Sequence, residues 1–253
     1  MSNLPTNIMN TSLNKAQIQF IKELHQKEGR KSQGLYLIEG EKMIHEAIST
    51  GTQLHSFYYT SNYSLPKSIE INLGKQISEA DLNRISALKT PNKVIALVKS
   101  KNNVQYTSDK IIYCSHMQDP GNAGTIIRIA DWFGIKDVVF SENSVDIFSP
   151  KAVQATMGSI FRTNVHYQHD ENFFDNMKAY GYKIIGADMN GASLSKYSFP
   201  AKVVVVLGSE SRGIPDHIRN KVDDFVTIDR LGDAESLNVG VACGIICQKI
   251  FFN

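Results

Sequence analysis

Three segments in the second half of the chain concentrate small and short polar residues around a few groups able to do chemistry. They are Asp119-Pro120-Gly121-Asn122-Ala123-Gly124-Thr125-Ile126-Ile127-Arg128, Val206-Leu207-Gly208-Ser209-Glu210-Ser211-Arg212-Gly213-Ile214-Pro215, and Ile228-Asp229-Arg230-Leu231-Gly232-Asp233-Ala234-Glu235-Ser236-Leu237-Asn238-Val239. Glycines let backbone come close to a ligand. Backbone amides and carbonyls in such loops can bond an adenine edge, a ribose or a carboxylate without side chains. No segment matches a phosphate-binding loop or the dinucleotide fingerprint Gly-x-Gly-x-x-Gly, which argues against ATP, GTP or NAD held in the usual ways. Taken singly, each segment is also compatible with ordinary turn chemistry.

The candidate reactive residues each have a plainer reading. Arg128 lies in a stretch that is otherwise apolar around it, where an exposed or salt-bridged helix arginine is the alternative. Asn122 can cap a helix. Glu210 can be a carboxylate in a first helical turn. Ser236 can be the N-cap of the last helix. Asn238 is expected inside that apolar helix, where a buried amide without a partner costs about 1–3 kcal/mol. Its position therefore demands a partner.

The elements that must position these residues follow from periodicity. Apolar strands are expected at 110–115, 137–140, 182–187, 202–208 and 225–228. Helices are expected from the first segment to Phe133, over 150–158, 171–180 and 215–220, and from Ser236 to Phe251. Four consecutive valines at 203–206 mark a buried parallel strand. Strand–helix alternation of this kind implies a parallel sheet with helices on both faces, an α/β fold, and the three segments fall at strand ends, where such sheets bind ligands. The first hundred residues differ. They carry a helix from Asn14 to about Lys27, a polar turn at Gly29–Gly34, strands at 35–38, 55–60 and 93–98, and helices beginning near Glu41 and Ser78. This reads as a small α/β domain. Residues 99–109 are polar and aperiodic, a linker, and place the domain boundary at 1–105 and 106–253.

Bulk properties bound the function. At 253 residues, 42% hydrophobic and 21% charged, the chain can bury a core without staples. No apolar run reaches the ~18 residues of a membrane span, and the polar Met1–Asn14 lacks a signal core; a cytoplasmic protein is expected. The three cysteines, Cys114, Cys243 and Cys247, form no disulfide framework and lack companions at metal-ligand spacing, so no metal is expected. Residues 1–108 hold 13 Lys/Arg and 8 Asp/Glu, and residues 109–253 hold 14 and 17. The front of the chain is therefore the candidate footprint for nucleic acid.

Together and in this order, the segments resemble the signature motifs of the SpoU branch of RNA methyltransferases, within the SPOUT superfamily. The resemblance rests on Asn122-x-Gly124-x3-Arg128, on Leu207-Gly208-Ser209-Glu210 with Gly213-Ile214, and on Ser236-Leu237-Asn238-Val239. It extends to Leu24–Arg30 and Tyr36–Gly40, which are similar to that family's N-terminal RNA-binding domain, itself like a ribosomal-protein fold. It implies a C-terminal trefoil knot, an obligate homodimer, and S-adenosylmethionine held by Leu207, Gly208, Ile228 and Leu237. It implies that Arg128, Asn122, Glu210, Ser236 and Asn238 serve the transfer of methyl to a ribose 2′-hydroxyl, and that Arg30 and Lys31 contact RNA. Ribosomal RNA is the expected substrate. A transfer-RNA ribose methyltransferase and a catalytically inactive RNA-binding homologue remain open alternatives. A small-molecule methyltransferase of Rossmann type is disfavoured by the missing glycine-rich loop, and a base methyltransferase by the Asn122–Arg128 pair. Asp229-Arg230 stands where the family usually has Pro-Met.

Overall fold

The computed structural model describes residues 12–66, 74–100, 105–168, 170–209 and 212–252. It divides into two compact units, Met1–Lys101 with Phe148–Gln154, and Asn102–Ile147 with Ala155–Asn253. The expected linker only partly matches this division. Lys99 belongs to a strand, Ser100 bonds Gly34 through backbone and hydroxyl, and residues 101–104 lie outside the described residues.

The first unit contains α1 (Lys15–Glu23), α2 (Lys27–Gln33), β1 (Leu35–Glu39), α3 (Glu41–Ser49), β2 (Leu54–Tyr59), β3 (Gly74–Gln76), α4 (Glu79–Ile85) and β4 (Val94–Lys99). Its sheet runs in the order β1-β4-β2-β3, antiparallel except between β2 and β3. Ile21, Leu24, Leu37, Ile85, Ile95 and Leu97 fill its core. The single helix expected from Asn14 to Lys27 is in fact two. Asn14 caps α1 with a reciprocal Gln17 bond, the helix ends at Leu24, and the expected polar turn at Gly29–Gly34 forms α2. Gly29 permits this corner, since a Cβ there would overlap the Glu23 carbonyl. Arg30 fastens it. The side chain is buried, and Nη1 donates to the Leu24 carbonyl oxygen at 2.7 Å.

The second unit contains β5 (Lys110–Cys114), α5 (Pro120–Trp132), β6 (Asp137–Ser141), β7 (Asn164–Gln168), α7 (Asp170–Ala179), β8 (Lys183–Ser193), β9 (Val203–Leu207), α8 (Asp216–Arg219), β10 (Asp224–Thr227) and α9 (Val239–Phe251). A further helix, α6 (Pro150–Ala155), falls mostly in the Phe148–Gln154 segment of the first unit and is shorter than the expected 150–158. Six strands form one sheet in the order β10-β8-β9-β5-β6-β7, and every pairing is parallel. β7 escaped the sequence reading because Asn164, His166 and Gln168 break its apolar pattern. β8 also runs past its expected end at 187, and its added residues Ala192 and Ser193 pair with β10 across a bulge. β9 lies between β8 and β5 with all five side chains at most 3% exposed, each worth ~1.5–3 kcal/mol of burial.

The chain enters this sheet through a buried polar staple. Asp137 Oδ2 accepts from the Thr107 and Ser108 amides at 2.7 and 2.8 Å, and Oδ1 accepts from Asn164 Nδ2 and bonds His166 Nε2 at 2.9 Å. The Tyr106 ring covers His166 at 4.6 Å between centroids. Burial works to raise the Asp137 pKa, but the bonds from His166, Thr107 and Asn164 win and hold the carboxyl below its ordinary value. A depressed folded-state pKa stabilises the protein above the unfolded value, and that stabilisation fades as pH falls through the folded one. Asp137→Ala is expected to cost about 3 kcal/mol at pH 7, since it strands buried donors. Chemical denaturation at stepped pH should show this difference shrinking only below the usual carboxylate range.

Candidate active site at the carboxyl edge of the parallel sheet

α5 starts where β5 ends. Asp119 is its N-cap, with Oδ1 accepting from the Asn122 amide at 2.8 Å, and Pro120 occupies the first helical position. Asn122 is therefore not the cap. It sits at the third helical position, and its Oδ1 accepts from Asn238 Nδ2 at 3.0 Å. Asn238 is likewise not inside a helix. It is the N-cap of α9, with Oδ1 accepting from the Gly240 and Val241 amides at 2.9 and 3.4 Å. Capping aims the oxygen at these two donors, which turns Nδ2 towards Asn122. The partner demanded for Asn238 is thus present, and it joins the first signature segment to the third. Ser236 is exposed, two residues before the cap, so the last helix begins later than expected.

Arg128 is exposed on α5, with no hydrogen bond or ion pair among the described residues. Glu210 lies outside the described residues, as does Ser211.

After β9 the described residues on either side of 210–211 are held together. Leu207 is buried, and its carbonyl oxygen accepts from the Ser115 amide at 2.8 Å. Ser209 and Gly213 pair across the loop through both backbone bonds, at 3.2 and 2.9 Å. Only glycine fits at 208, because a Cβ there would overlap the backbone of Gly213. Beyond β10, Ile228 is half-buried and residues 229–238 are exposed. Asp229 Oδ2 accepts from Ser193 Oγ at 2.8 Å and from the Ser195 amide at 3.4 Å, and these bonds hold its carboxyl below the ordinary value. Arg230 Nη1 donates to the Ala234 carbonyl oxygen at 3.2 Å. The unusual pair Asp229-Arg230 therefore shapes its own loop. Leu237 remains 48% exposed beside Asn238.

The same sheet edge carries a group that the sequence reading missed. His116 has φ +52°, a left-handed conformation that is uncommon outside glycine. Its amide donates to Ser141 Oγ at 2.8 Å, its carbonyl oxygen accepts from Gln118 Nε2 at 3.2 Å, and its Nδ1 bonds Ser115 Oγ at 2.9 Å. Such a conformation costs about 1–3 kcal/mol and persists where surroundings over-determine it. Its ring faces His217 of α8, edge to face, at 6.3 Å. Burial first, then His217 and Arg212, hold its imidazole below the ordinary pKa. The sequence signal was only a histidine directly after a strand end.

The first unit corrects one expectation. Arg30, with its guanidinium turned inward to Leu24, braces the α1–α2 corner instead of presenting itself to RNA, whereas Lys31 is exposed on α2. Among the described residues no cluster could hold a metal ion, and the three cysteines are buried thiols.

The sequence model of the SpoU rRNA methylase family matches residues 109–248, more than half of the chain. The chain belongs to this family. A second model, the MRM3-like substrate binding domain, matches residues 15–96. The 23S rRNA (guanosine(2553)-2′-O)-methyltransferase RlmP of Bacillus subtilis is 29% identical over 231 residues, 90% of this chain and 93% of that protein. A solved structure from Porphyromonas gingivalis, assigned to the TrmH family of RNA methyltransferases, superposes with TM-score 0.85 at 31% identity, covering 94% of this chain and 98% of that one. An AdoMet-bound rRNA methyltransferase from Sinorhizobium meliloti shares the fold at TM-score 0.84 and 24% identity, over 94% and 95% of the two chains.

In this SpoU-family chain the Asn122–Asn238 joint and the α9 cap rest on one side chain. Asn238→Ala should remove both and cost about 1–2 kcal/mol. Asn238→Asp keeps an oxygen for the cap and loses only the donation to Asn122. Thermal unfolding is expected to rank wild type above Asn238→Asp, and Asn238→Ala lowest.

Proposed function

We propose that this protein transfers a methyl group from S-adenosylmethionine to a ribose 2′-hydroxyl of ribosomal RNA. The observation that carries the proposal is the hydrogen bond between Asn122 and Asn238, which draws two of the three signature segments together at the carboxyl edge of the sheet. Membership of the SpoU family and the likeness to RlmP, over nearly the whole of both chains, support the reaction and favour ribosomal over transfer RNA.

The residues present suit the cofactor. Leu207, Gly208 and Ile228 line successive strand ends with backbone groups, and the half-exposed Leu237 offers an apolar wall that the fold itself leaves uncovered. Bound there, S-adenosylmethionine would supply an electrophilic sulfonium methyl. The chain's own part is to align the 2′-oxygen and assist loss of its proton. Arg128 keeps its proton at any working pH, so its role is to hydrogen-bond and neutralise an oxygen or phosphate of the RNA rather than to act as a base. Asn122 and Asn238 orient that site, with Glu210 and Ser236 as further members. In this division of labour residues 1–105 grip RNA, with Lys31 among the contacts, and residues 106–253 catalyse.

The last segments are proposed to thread into a trefoil knot, and the molecule to act in the cytoplasm as a homodimer. The dimer reading is supported by apolar side chains that the monomer leaves in water: Val241 and Ile245 on α9 are 53% and 38% exposed, Leu237 just before its cap is 48% exposed, and Trp132 on α5 is 84% exposed. Isolated apolar side chains are ordinary on a surface, but a group of this kind marks an interface.

Three experiments test this reading. Mass-spectrometric mapping of 2′-O-methylated nucleotides, in cells with and without the gene, should show one ribosomal site lost on deletion; an unchanged map would leave the proposal without a substrate. Arg128→Ala should lower kcat about 10²–10³-fold, the scale for loss of one charge-stabilising donor, while the protein stays folded. Val241→Asp should shift the sedimentation coefficient from dimer to monomer.

A further inference from the structure

The turn after β5 holds a side-chain cluster that the methyl-transfer reading does not use. His116 occupies a backbone conformation that glycine adopts without steric cost. A turn needed only for its shape would be better served by glycine. Here the backbone bonds to Ser141 and Gln118 would serve glycine equally, and the bond between Nδ1 and Ser115 Oγ holds the imidazole in place. What the arrangement retains is therefore the side chain and its direction.

That direction is towards His217, whose ring meets His116 edge to face with an interplanar angle of 76°. Arg212, from the loop after β9, lies near enough for its charge to act on the same imidazole. The three come from the turn after β5, from the loop after β9, and from α8, which follows that loop. The first of these leads into α5, which carries Asn122, and the second begins at Gly208. Two aromatic rings beside a guanidinium have the chemistry that takes an unstacked nucleotide, because imidazole faces stack on bases and guanidinium pairs with phosphate. Burial, His217 and Arg212 hold the His116 imidazole below its ordinary pKa, which favours the neutral ring beside Arg212.

We infer that His116, His217 and Arg212 form a contact subsite for one nucleotide of the substrate RNA, with imidazole against the base and guanidinium against a phosphate. The inference rests on the proposed RNA methyltransferase reading and adds to it the residues that engage RNA next to the reacting ribose.

The test is steady-state methyl transfer from labelled S-adenosylmethionine to ribosomal RNA extracted from cells lacking the gene. His116→Gly should leave the thermal midpoint equal or higher, since the backbone strain is relieved, and leave kcat and the KM for S-adenosylmethionine unchanged. Its KM for RNA should rise roughly tenfold, the scale of one lost stacking contact. His217→Ala should raise the KM for RNA in the same way, and Arg212→Gln should also flatten its salt dependence. An active wild type with an unchanged KM for RNA in all three variants overturns the subsite and leaves the methyltransferase reading intact. A wild type that methylates no RNA overturns both. Should His116→Gly lower the thermal midpoint, the imidazole is a strut for folding, and the inference is then decided by His217→Ala and Arg212→Gln.

Discussion

All six strands of the larger sheet run in one direction, and the residues given a part in methyl transfer depend on that constraint. Parallel strands must be joined by crossovers that return the chain to the opposite edge, so each strand delivers its carboxyl end to the same side. The strand richest in consecutive valines, β9, sits near the centre with its side chains out of water, flanked by β8 and β5. Segments far apart in sequence therefore emerge side by side. Asn122 and Asn238 are 116 residues apart and meet because β5 and the chain leading into α9 end on one edge. The apolar interior and the polar joint are two outcomes of the same topology.

Much of this was legible in the sequence, for reasons that also explain the rest. The valine run, the helical spacing of Ile126, Ile127 and Ala130, and the order of the three segments announce a parallel α/β unit, because burial imposes those periods. Helix starts were read less well. Ser236 and Asn238 are both good caps, and the choice between them turned on where the chain leaves the preceding loop. At Gly29 the sequence suggests a turn residue, whereas its task is to let two helices meet closely. Arg30 was taken as a surface cation, because no local pattern reveals a guanidinium turned inward to a carbonyl. β3 has three residues, too few for any alternation, and β7 hides His166 behind a buried bond to Asp137. His116 was passed over because its distinguishing property is a dihedral angle, which only coordinates display.

The departure at Asp229-Arg230 illustrates how a loop tolerates an altered sequence. Proline restricts φ covalently. Here the loop is restrained by bonds from its own side chains, Asp229 to Ser193 and the Ser195 amide, Arg230 to the Ala234 carbonyl. Lys249 of α9 adds a further tie to the Ser195 carbonyl, so the end of β8 is fixed from two directions.

The assignment of Phe148–Gln154 to the first unit bears on how the protein is made. Phe148 packs its ring against Tyr36 at 4.8 Å, within that unit. Domains generally fold as units during translation, the amino-terminal one first. In this chain the segment Phe148–Gln154 is made only after β5, α5 and β6, so its packing on the earlier unit comes late. The two units are thus interleaved along the chain: the larger sheet has begun to emerge before the last piece of the first unit is made.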